Sequence, residues 1–472
     1  MKKFQLNTDH LDKLDKRFYD ICRATPLENP TIVSLNYPLL KEIGFSEVDL
    51  ESDEFLGFLN GHYIASGSIP HASAYSGHQF GYFVPNLGDG RALNLGLNAG
   101  YHLQLKGSGL TKYSREGDGR AVLRSSIREY LISEAMHALG IPTTRALALI
   151  SSDTTVYRQT PEKGAILLRA SESWIRFGSF EFAYLGDKKL KNVTMLADYV
   201  LDESFAHLKE LPNRYEELYF AIVDKTVDLI AHWQSVGFMH GVMNTDNMSI
   251  AGLSIDYGPF AFMERFKKDF VCNSSDYDGR YSFEAQPYIA QWNLGILLKP
   301  FSLIADESLM QSYLNTFLKK YKQKYYELMQ TKLGLYKTLQ DDKELIEGLL
   351  KAFESDEVDY TNFFYTLSTK DFESLSDLGS HVKDWMAEYK NRLTCEDIQQ
   401  TQRLKTMRKT NPKYVLKNYM LQEAIEKAEN SDYTLVNELL KIAQNPYAEH
   451  KEFERYSNTT KTDTAFTCSC SS

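Results

Sequence analysis

The sequence feature that most restricts the possible folds of this chain is the polar stretch HGVMNTDNMSI, which begins at His240 and is followed closely by IDYGPF. Short apolar runs at 248–250 and 253–255 flank an Ala-Gly pair, and this pattern predicts two short strands joined by a tight turn. Such a hairpin would place Asn247 beside Asp256. Two oxygen ligands at one point suit Mg²⁺, which takes few protein ligands together with phosphate oxygens and water.

This layout matches the second half of a protein-kinase site. There the pattern H-R-D-x-x-x-x-N supplies the catalytic base and one metal ligand, and D-F-G supplies the other ligand. His240 and Asn247 have the spacing of that pattern, and D-Y-G begins at Asp256. The base position is held by Val242, which cannot accept a proton. Asp246 is the nearby carboxylate that can take the role of base.

Candidates for the first half of such a site precede these residues in the expected order. Kinases hold phosphates with a glycine-rich loop, a strand lysine and a helix glutamate that pairs with it. Here the loop LGDGR at 87–91 is followed by Lys106, at the end of a strand with alternating leucines, and by Glu129 on an amphipathic helix. Alone, Lys106 or Glu129 would be interpreted as a solvated charge, but the whole series in one order favours a nucleotide site.

Three other residues complicate a simple kinase assignment. Asp89, inside the glycine loop, would repel phosphates in the usual pose. Arg169 and Arg176 stand in apolar surroundings, and because an unpaired buried charge is costly, each is expected to have an anionic partner. The residues alone leave open whether that partner is a structural carboxylate or a phosphate, with the carboxylate slightly favoured.

Composition narrows the class of protein. The chain has 472 residues and a net charge of −10, and this acidic balance argues against general binding to nucleic acids. It contains no apolar run of the ~18 residues that a membrane span needs. The first residues lack the apolar segment of a signal peptide, so a cytoplasmic protein without membrane association is expected.

Glycine-rich, β-type alternation in the first half gives way to helical patterns from about Leu196, which predicts an α+β fold. The expected divisions are an N-terminal extension, a β-rich N-lobe, a helical C-lobe and a C-terminal segment, at 1–70, 71–185, 186–400 and 401–472.

Several long strings resemble the selenoprotein O (SelO/YdiU) family of protein adenylyltransferases, in a member with ordinary cysteines near its end. Besides the two stretches above, they are SGHQFG from Ser76, LGDGRAL from Leu87, LKGSG from Leu105, GDGRAVLRSSIRE from Gly117, NPKYVL from Asn411 and CSCSS from Cys468. The resemblance covers nearly the whole chain. It implies a protein-kinase-like, two-lobed fold that binds ATP inverted, transfers AMP to Ser, Thr or Tyr hydroxyls of proteins and releases pyrophosphate.

The resemblance also implies roles for individual residues. Asp246 would be the general base, Glu129 would orient Lys106, and Asn247 with Asp256 would hold Mg²⁺, with Mn²⁺ as the alternative. The residues implied to contact ATP are Gly88, Gly90, Arg91, Lys106, Asp118, Gly119, Arg169, Arg176 and Asp256.

A redox switch is a further implication of the resemblance. Members of the family carry a thiol or its selenium counterpart in the C-terminal tail. This group resembles a redox switch that can bond to a cysteine after the D-F-G-like segment. Cys272 matches that position, and the expected disulfide joins it to Cys470, with Cys468 as the less favoured partner.

Three alternatives to AMP transfer remain at this stage. An ordinary phosphotransferase is disfavoured by Val242 and Asp89. A catalytically silent nucleotide-binding scaffold is disfavoured because the lysine, the glutamate and both metal ligands are present. A transferase of UMP that uses UTP and Mn²⁺ stays open, since no residue visibly recognises the base.

Overall fold

A computed structural model gives the fold for residues 4–369 and 371–457. Within these ranges the strands are β1 (Tyr19–Ile21), β2 (Thr31–Leu35), β3 (His71–Gln79), β4 (Tyr82–Gly88), β5 (Ala92–Asn98), β6 (Tyr101–Lys106), β7 (Ala121–Val122), β8 (Arg145–Tyr157), β9 (Pro161–Ser171), β10 (Phe238–Met239) and β11 (Ala261–Phe262). The large antiparallel sheet has the order β1-β3-β5-β6-β9-β8-β2, with β4 beside β3 and β7 beside β9.

The helices follow mainly in the second half of the chain. They are α1 (Tyr37–Glu42), α2 (Glu47–Leu50), α3 (Asp53–Leu59), α4 (Leu123–Ala138), α5 (Phe177–Ala183), α6 (Lys189–Ser204), α7 (Arg214–Ser235), α8 (Gln286–Phe301), α9 (Glu307–Leu314), α10 (Phe317–Leu333), α11 (Asp342–Ser355), α12 (Tyr360–Leu367), α13 (Ser380–Leu393), α14 (Gln400–Thr410), α15 (Asn418–Glu429) and α16 (Thr434–Gln444). The predicted mixed α+β class is confirmed. In the described ranges, no helix is both long enough and apolar enough to cross a bilayer.

The alternating leucines after the glycine loop form the predicted strands. β5 and β6 pair antiparallel, and Lys106 stands opposite Ala92. Leu93 and Leu105 are buried against the N-terminal helices, in a cluster that includes Phe58 of α3. Because side chains alternate along a strand, this packing fixes the register and sends Lys106 to the opposite side of the sheet.

Helix α4 is the predicted helix that carries Glu129. Gly140, just beyond it, has a φ of +76°, a left-handed conformation that favours glycine and terminates the helix. The helix is covered on both sides, by β8 and β9 and by α15 and α16, rather than exposing a polar face. For this reason Glu129 is only 3% exposed, and its interpretation as a solvated charge is wrong.

The hairpin predicted at 248–255 is absent. Backbone bonds in this stretch go to other segments: Phe177 donates to the Met248 carbonyl at 2.9 Å, and Thr144 to the Ser254 carbonyl at 3.0 Å. The two polar loops are instead joined by His240, whose Nε2 donates to the Ile255 carbonyl at 2.8 Å. The His240 ring is stacked on Trp233 of α7, so the helix fixes both loops.

Candidate active site

A cavity of about 430 Å³ opens between the glycine-loop edge of the sheet and the two polar loops. Its size suits a small ligand. The predicted residues that line it are Gly88, Gly90, Arg91, Lys106, Asp118, Gly119, Glu129, Arg169, Asp246, Asn247 and Asp256. Residues that are far apart in the sequence thus meet in one place, as the order of motifs predicted.

The predicted lysine–glutamate pair is formed. The ammonium group of Lys106, at the end of β6, donates to Oε2 of Glu129 on α4 at 2.5 Å. Burial lowers the pKa of Lys106, and the neighbouring carboxylates oppose that effect. Glu129 also binds Arg169 at 2.7 Å, so one buried carboxylate orients two of the cavity's cations.

Asp256 lies within a group of three cations. Arg169 contacts its Oδ1 at 2.7 Å, Arg176 contacts its Oδ2 at 2.6 Å, and the Lys106 ammonium is 3.6 Å from Oδ1. Burial alone would raise the pKa of Asp256, but the charges of Arg176, Arg169 and Lys106 outweigh it and hold the pKa well below its usual value. The two arginines therefore have the carboxylate partner that their apolar setting favoured.

Arg176 lies behind Asp256 rather than on the cavity wall. Its side chain is 2% exposed, and its guanidinium is 4.6 Å from the centre of the Tyr75 ring. It also donates to the Asp246 carbonyl at 2.6 Å. Arg176 thus links the backbone of Asp246 to the side chain of Asp256.

The Asp246 carboxylate is buried and only weakly bound. Its Oδ2 accepts a bond of 3.3 Å from Gln79, and its Oδ1 has no hydrogen-bond partner among the described residues. Burial raises the pKa of Asp246 to about 6, with Arg176 acting in the opposite direction. A carboxylate with an unpaired oxygen and a pKa near neutrality has the properties of a general base.

A glycine that sequence reasoning did not single out makes room for this carboxylate. A Cβ on Gly77 of β3 would lie 2.5 Å from Asp246 Oδ1, whereas one on Gly178 of α5 would lie 2.0 Å from the Ser76 carbonyl oxygen, so Gly178 makes room for the backbone of β3. Gly77 belongs to the SGHQFG string, which was the signal that could have identified it.

Asn247 and Asp256 offer oxygen atoms to the same cavity. The Asn247 amide donates from Nδ2 to the Val242 carbonyl at 3.2 Å, which leaves its oxygen as an acceptor. Val242, which cannot act as a base, therefore orients a predicted metal ligand. Among the described residues no cluster of three or more His, Cys, Asp or Glu side chains could hold a metal ion. Two oxygen donors fit a cation that takes its other ligands from phosphate and water.

The Asp89 carboxylate is held by the sheet, where it accepts bonds from the Ser73 backbone at 3.0 Å and from Asn94 at 3.1 Å. Asp89 nevertheless lines the cavity, so the expected repulsion of phosphates stays a prediction.

Arg158 is a cavity residue that no motif indicated. It follows β8 and donates to the Asp118 carboxylate from both terminal guanidinium nitrogens, at 2.7 and 3.1 Å. A single arginine between two strands carries no sequence signal, so only the fold reveals it.

Cys272 lies beneath the first polar loop. It is 1% exposed, and its sulfur is 4.0 Å from the Met239 carbonyl oxygen. A Cβ on Gly241 would approach that sulfur to 2.8 Å. Cys470 lies outside the described residues, so the Cys272–Cys470 disulfide stays a prediction, which peptide mapping of the oxidised protein would test.

Comparison with known proteins agrees with this geometry. A family model described as "Protein adenylyltransferase SelO" matches residues 3–444. "Protein nucleotidyltransferase YdiU" of Myxococcus xanthus is 43% identical over 446 residues, covering 92% of this chain and 91% of the relative. The proteins of the same name from Herminiimonas arsenicoxydans and Vibrio cholerae are 44% and 42% identical, over 93% and 95% of this chain and 91% and 96% of theirs.

Proposed function

The chain belongs to the SelO family and is a protein nucleotidyltransferase, and from this premise we propose that it transfers AMP from ATP to Ser, Thr or Tyr hydroxyls of proteins. The observation that carries the proposal is the Asp246 carboxylate, which lines the same cavity as Lys106 and Arg169 and has one oxygen without a hydrogen-bond partner among the described residues. A cavity that is lined by both a base and cations suits the attack of a hydroxyl on a bound phosphate.

We further propose that the sheet and the helical part are the two lobes of a kinase-like fold, with the nucleotide between them. Lys106 on β6, Glu129 on α4 and the two polar loops after α7 support this arrangement. ATP would bind inverted relative to kinases, so that its α-phosphate faces Asp246.

In the proposed reaction, the Asp246 carboxylate accepts the proton of the acceptor hydroxyl. The hydroxyl oxygen forms a bond to the α-phosphorus, the bond from that phosphorus to the bridging oxygen breaks, and pyrophosphate leaves. Lys106 and Arg169 stabilise the phosphate charge, and Glu129 holds both cations in position. Asn247 and Asp256 would hold Mg²⁺ or Mn²⁺, which supplies further positive charge to the phosphates when bound.

Labelled nucleotides test the proposal directly. The purified protein is incubated with Mg²⁺, a generic protein acceptor, and ATP labelled on either the α- or the γ-phosphate. The expected result is protein-bound α-label without γ-label, and its loss in the Asp246→Asn variant. Transfer of γ-label would instead establish a kinase.

A parallel assay uses UTP with Mn²⁺, because the name of the relatives specifies no nucleotide. Transfer of label from UTP in clear excess over ATP would replace AMP by UMP in the proposal. Measurable ATP binding without any transfer would favour the silent scaffold.

A further inference from the structure

A basic and aromatic patch borders the Asp246 loop where β3 and β4 meet α8. We define this rim surface as His78, Phe83, Arg280, Trp292 and Lys299. The His78 ring lies 5.2 Å from Phe83 and 5.4 Å from Trp292, and the Arg280 guanidinium lies 4.7 Å from the centre of the Trp292 ring. Phe83 is 42% exposed and Trp292 is 37% exposed, so large apolar area faces solvent beside a planar cation.

The rim surface is attached to the reacting loop by the end of β3. The His78 backbone donates to Thr245 Oγ1 at 2.7 Å, and the next residue, Gln79, binds the Asp246 carboxylate. The Phe80 backbone donates to Asn244 Oδ1 at 3.1 Å. A polypeptide whose hydroxyl reaches Asp246 therefore has this surface beside it.

The side chains of Arg280 and Lys299 form no ion pair with a carboxylate in the described part of the chain, and both cations add to the effect of burial in lowering the pKa of His78. The Arg280 backbone N–H donates to Asp276 Oδ1 at 3.0 Å. The carboxylate of Glu181 is close, but it is buried, bound to Thr245 and 2.5 Å from the His78 ring. Burial also raises the pKa of Glu181 to about 7, which weakens its negative charge further.

The positions on α8 suit an extended ligand. Trp292 and Lys299 stand on one face of this helix, about two turns apart, and both are exposed. Since the chain as a whole carries a net charge of −10, a positive patch at this place is a local exception. Such a patch attracts acidic segments and disfavours basic ones.

We propose that the rim surface binds an acidic segment of the protein substrate next to its acceptor hydroxyl. Arg280 and Lys299 pair with Asp or Glu side chains of that segment, while Trp292 and Phe83 pack against its apolar groups. The inference rests on the proposed function for its catalytic consequence, but binding is measurable without nucleotide.

The first experiment measures binding of two dye-labelled peptides by fluorescence anisotropy. Both contain a central Thr, flanked by Glu in one peptide and by Lys in the other. We expect the Glu peptide to bind more tightly, and the Arg280→Ala/Lys299→Ala variant to lose about tenfold of that affinity. Arg280→Glu should shift preference toward the Lys peptide.

A matched control is Arg214→Ala. The Arg214 guanidinium also lies over an aromatic ring, 4.7 Å from the centre of Tyr215, but it is paired with Asp198. Its loss should leave peptide binding unchanged. Lys299→Glu is a second variant at an exposed position, so a folding defect at Arg280 does not decide the result.

Tryptophan fluorescence gives an independent measurement. Trp174, Trp233 and Trp385 are at most 8% exposed, so acrylamide quenching reports mainly on Trp292. The Glu peptide should protect this fluorescence from quenching, and the protection should disappear in Trp292→Phe.

Equal affinity for the two peptides, no binding of either, or full affinity in the double variant would overturn the inference. A transfer assay then separates the two proposals. If the docking is correct, the double variant raises KM for the Glu peptide and leaves kcat and the KM for nucleotide near wild type. Peptide binding without any nucleotide transfer would defeat the proposed function and leave the docking surface intact.

Discussion

Burial raises the pKa of the Asp246 carboxyl and leaves one of its oxygens unpaired within the described part of the chain. It is 7% exposed, and one of its oxygens lacks a partner among the described residues. We expect Asp246→Asn, which keeps the shape but cannot accept the proton, to lower kcat by about 10²–10⁴-fold. Nucleotide affinity, measured by calorimetry, should change little. A loss below about tenfold with intact binding would remove Asp246 from the role of base.

The pKa of Asp246 also predicts a pH dependence. Burial raises this pKa from 3.8 to about 6, so the carboxyl becomes protonated at a higher pH than an ordinary aspartate. The base acts only when ionised, so kcat/KM should be constant above this value and fall about tenfold per pH unit below it. Rates between about pH 5 and pH 8 would show this limb, and a limb near the ordinary value of 3.8 would contradict the assignment.

At the scale of elements, the close contact between β3 and the Asp246 loop depends on a missing side chain. We expect Gly77→Ala to reduce transfer strongly, because its Cβ would lie 2.5 Å from Asp246 Oδ1 and 2.9 Å from the Asp246 Cβ. Overpacking of this kind costs about 1–3 kcal/mol of stability. Activity assays and urea unfolding would measure both effects.

Gly348 in α11 is the matched control for that substitution. A Cβ there meets only Trp385, at an ordinary 3.7 Å. Gly348→Ala should therefore increase the free energy of unfolding by about 0.5–1 kcal/mol, since alanine is the better helix former. Unchanged activity in Gly77→Ala would show that the loop moves aside without consequence.

The sequence predicted the elements whose signal is local. β5, β6 and α4 have periodic apolar residues and turn glycines, and each was placed correctly. The hairpin at 248–255 was wrong because its backbone groups bond to segments distant in the chain. Burial of Glu129 and the hydrogen bonds of Asp89 to the sheet likewise depend on tertiary neighbours that periodicity does not record.

In the candidate site, too, the residues that belong to a motif were predicted and the residue without a motif was not. Ordered motifs predicted Lys106, Glu129, Asn247 and Asp256 as members of one cavity, which the structure brings together. Arg158 was missed because it carries no motif.

At the scale of the described molecule, the last helices brace β2 and α4. Asn437 of α16 binds Ser34 of β2 at 2.9 Å, and Arg128 of α4 joins Asn418 of α15 to the Phe260 carbonyl. The predicted C-terminal segment thus supports the helix that carries Glu129.

This bracing predicts a stability cost far from the cavity. Leu439 of α16 is fully buried, so Leu439→Ala should lower the free energy of unfolding by about 2–5 kcal/mol. Lys441→Ala, on the exposed side of the same helix, should stay within about 0.5 kcal/mol of wild type. Urea unfolding would measure both, and equal effects would show that α16 is not part of the core.

The Asp256 carboxylate neutralises three cations in the way that a phosphate group would. A divalent ion arriving alone meets the positive charge of Arg169 and Lys106 on the cavity wall and of Arg176 behind Asp256. A nucleotide arriving alone meets a carboxylate to which those cations are already bound. Each ligand removes the obstacle to the other, so their binding should be positively cooperative. Calorimetric titration with Mn²⁺ should show weak binding to the free protein and much tighter binding once a non-hydrolysable nucleotide is present. The site would then bind the metal–nucleotide complex more tightly than it binds either part alone.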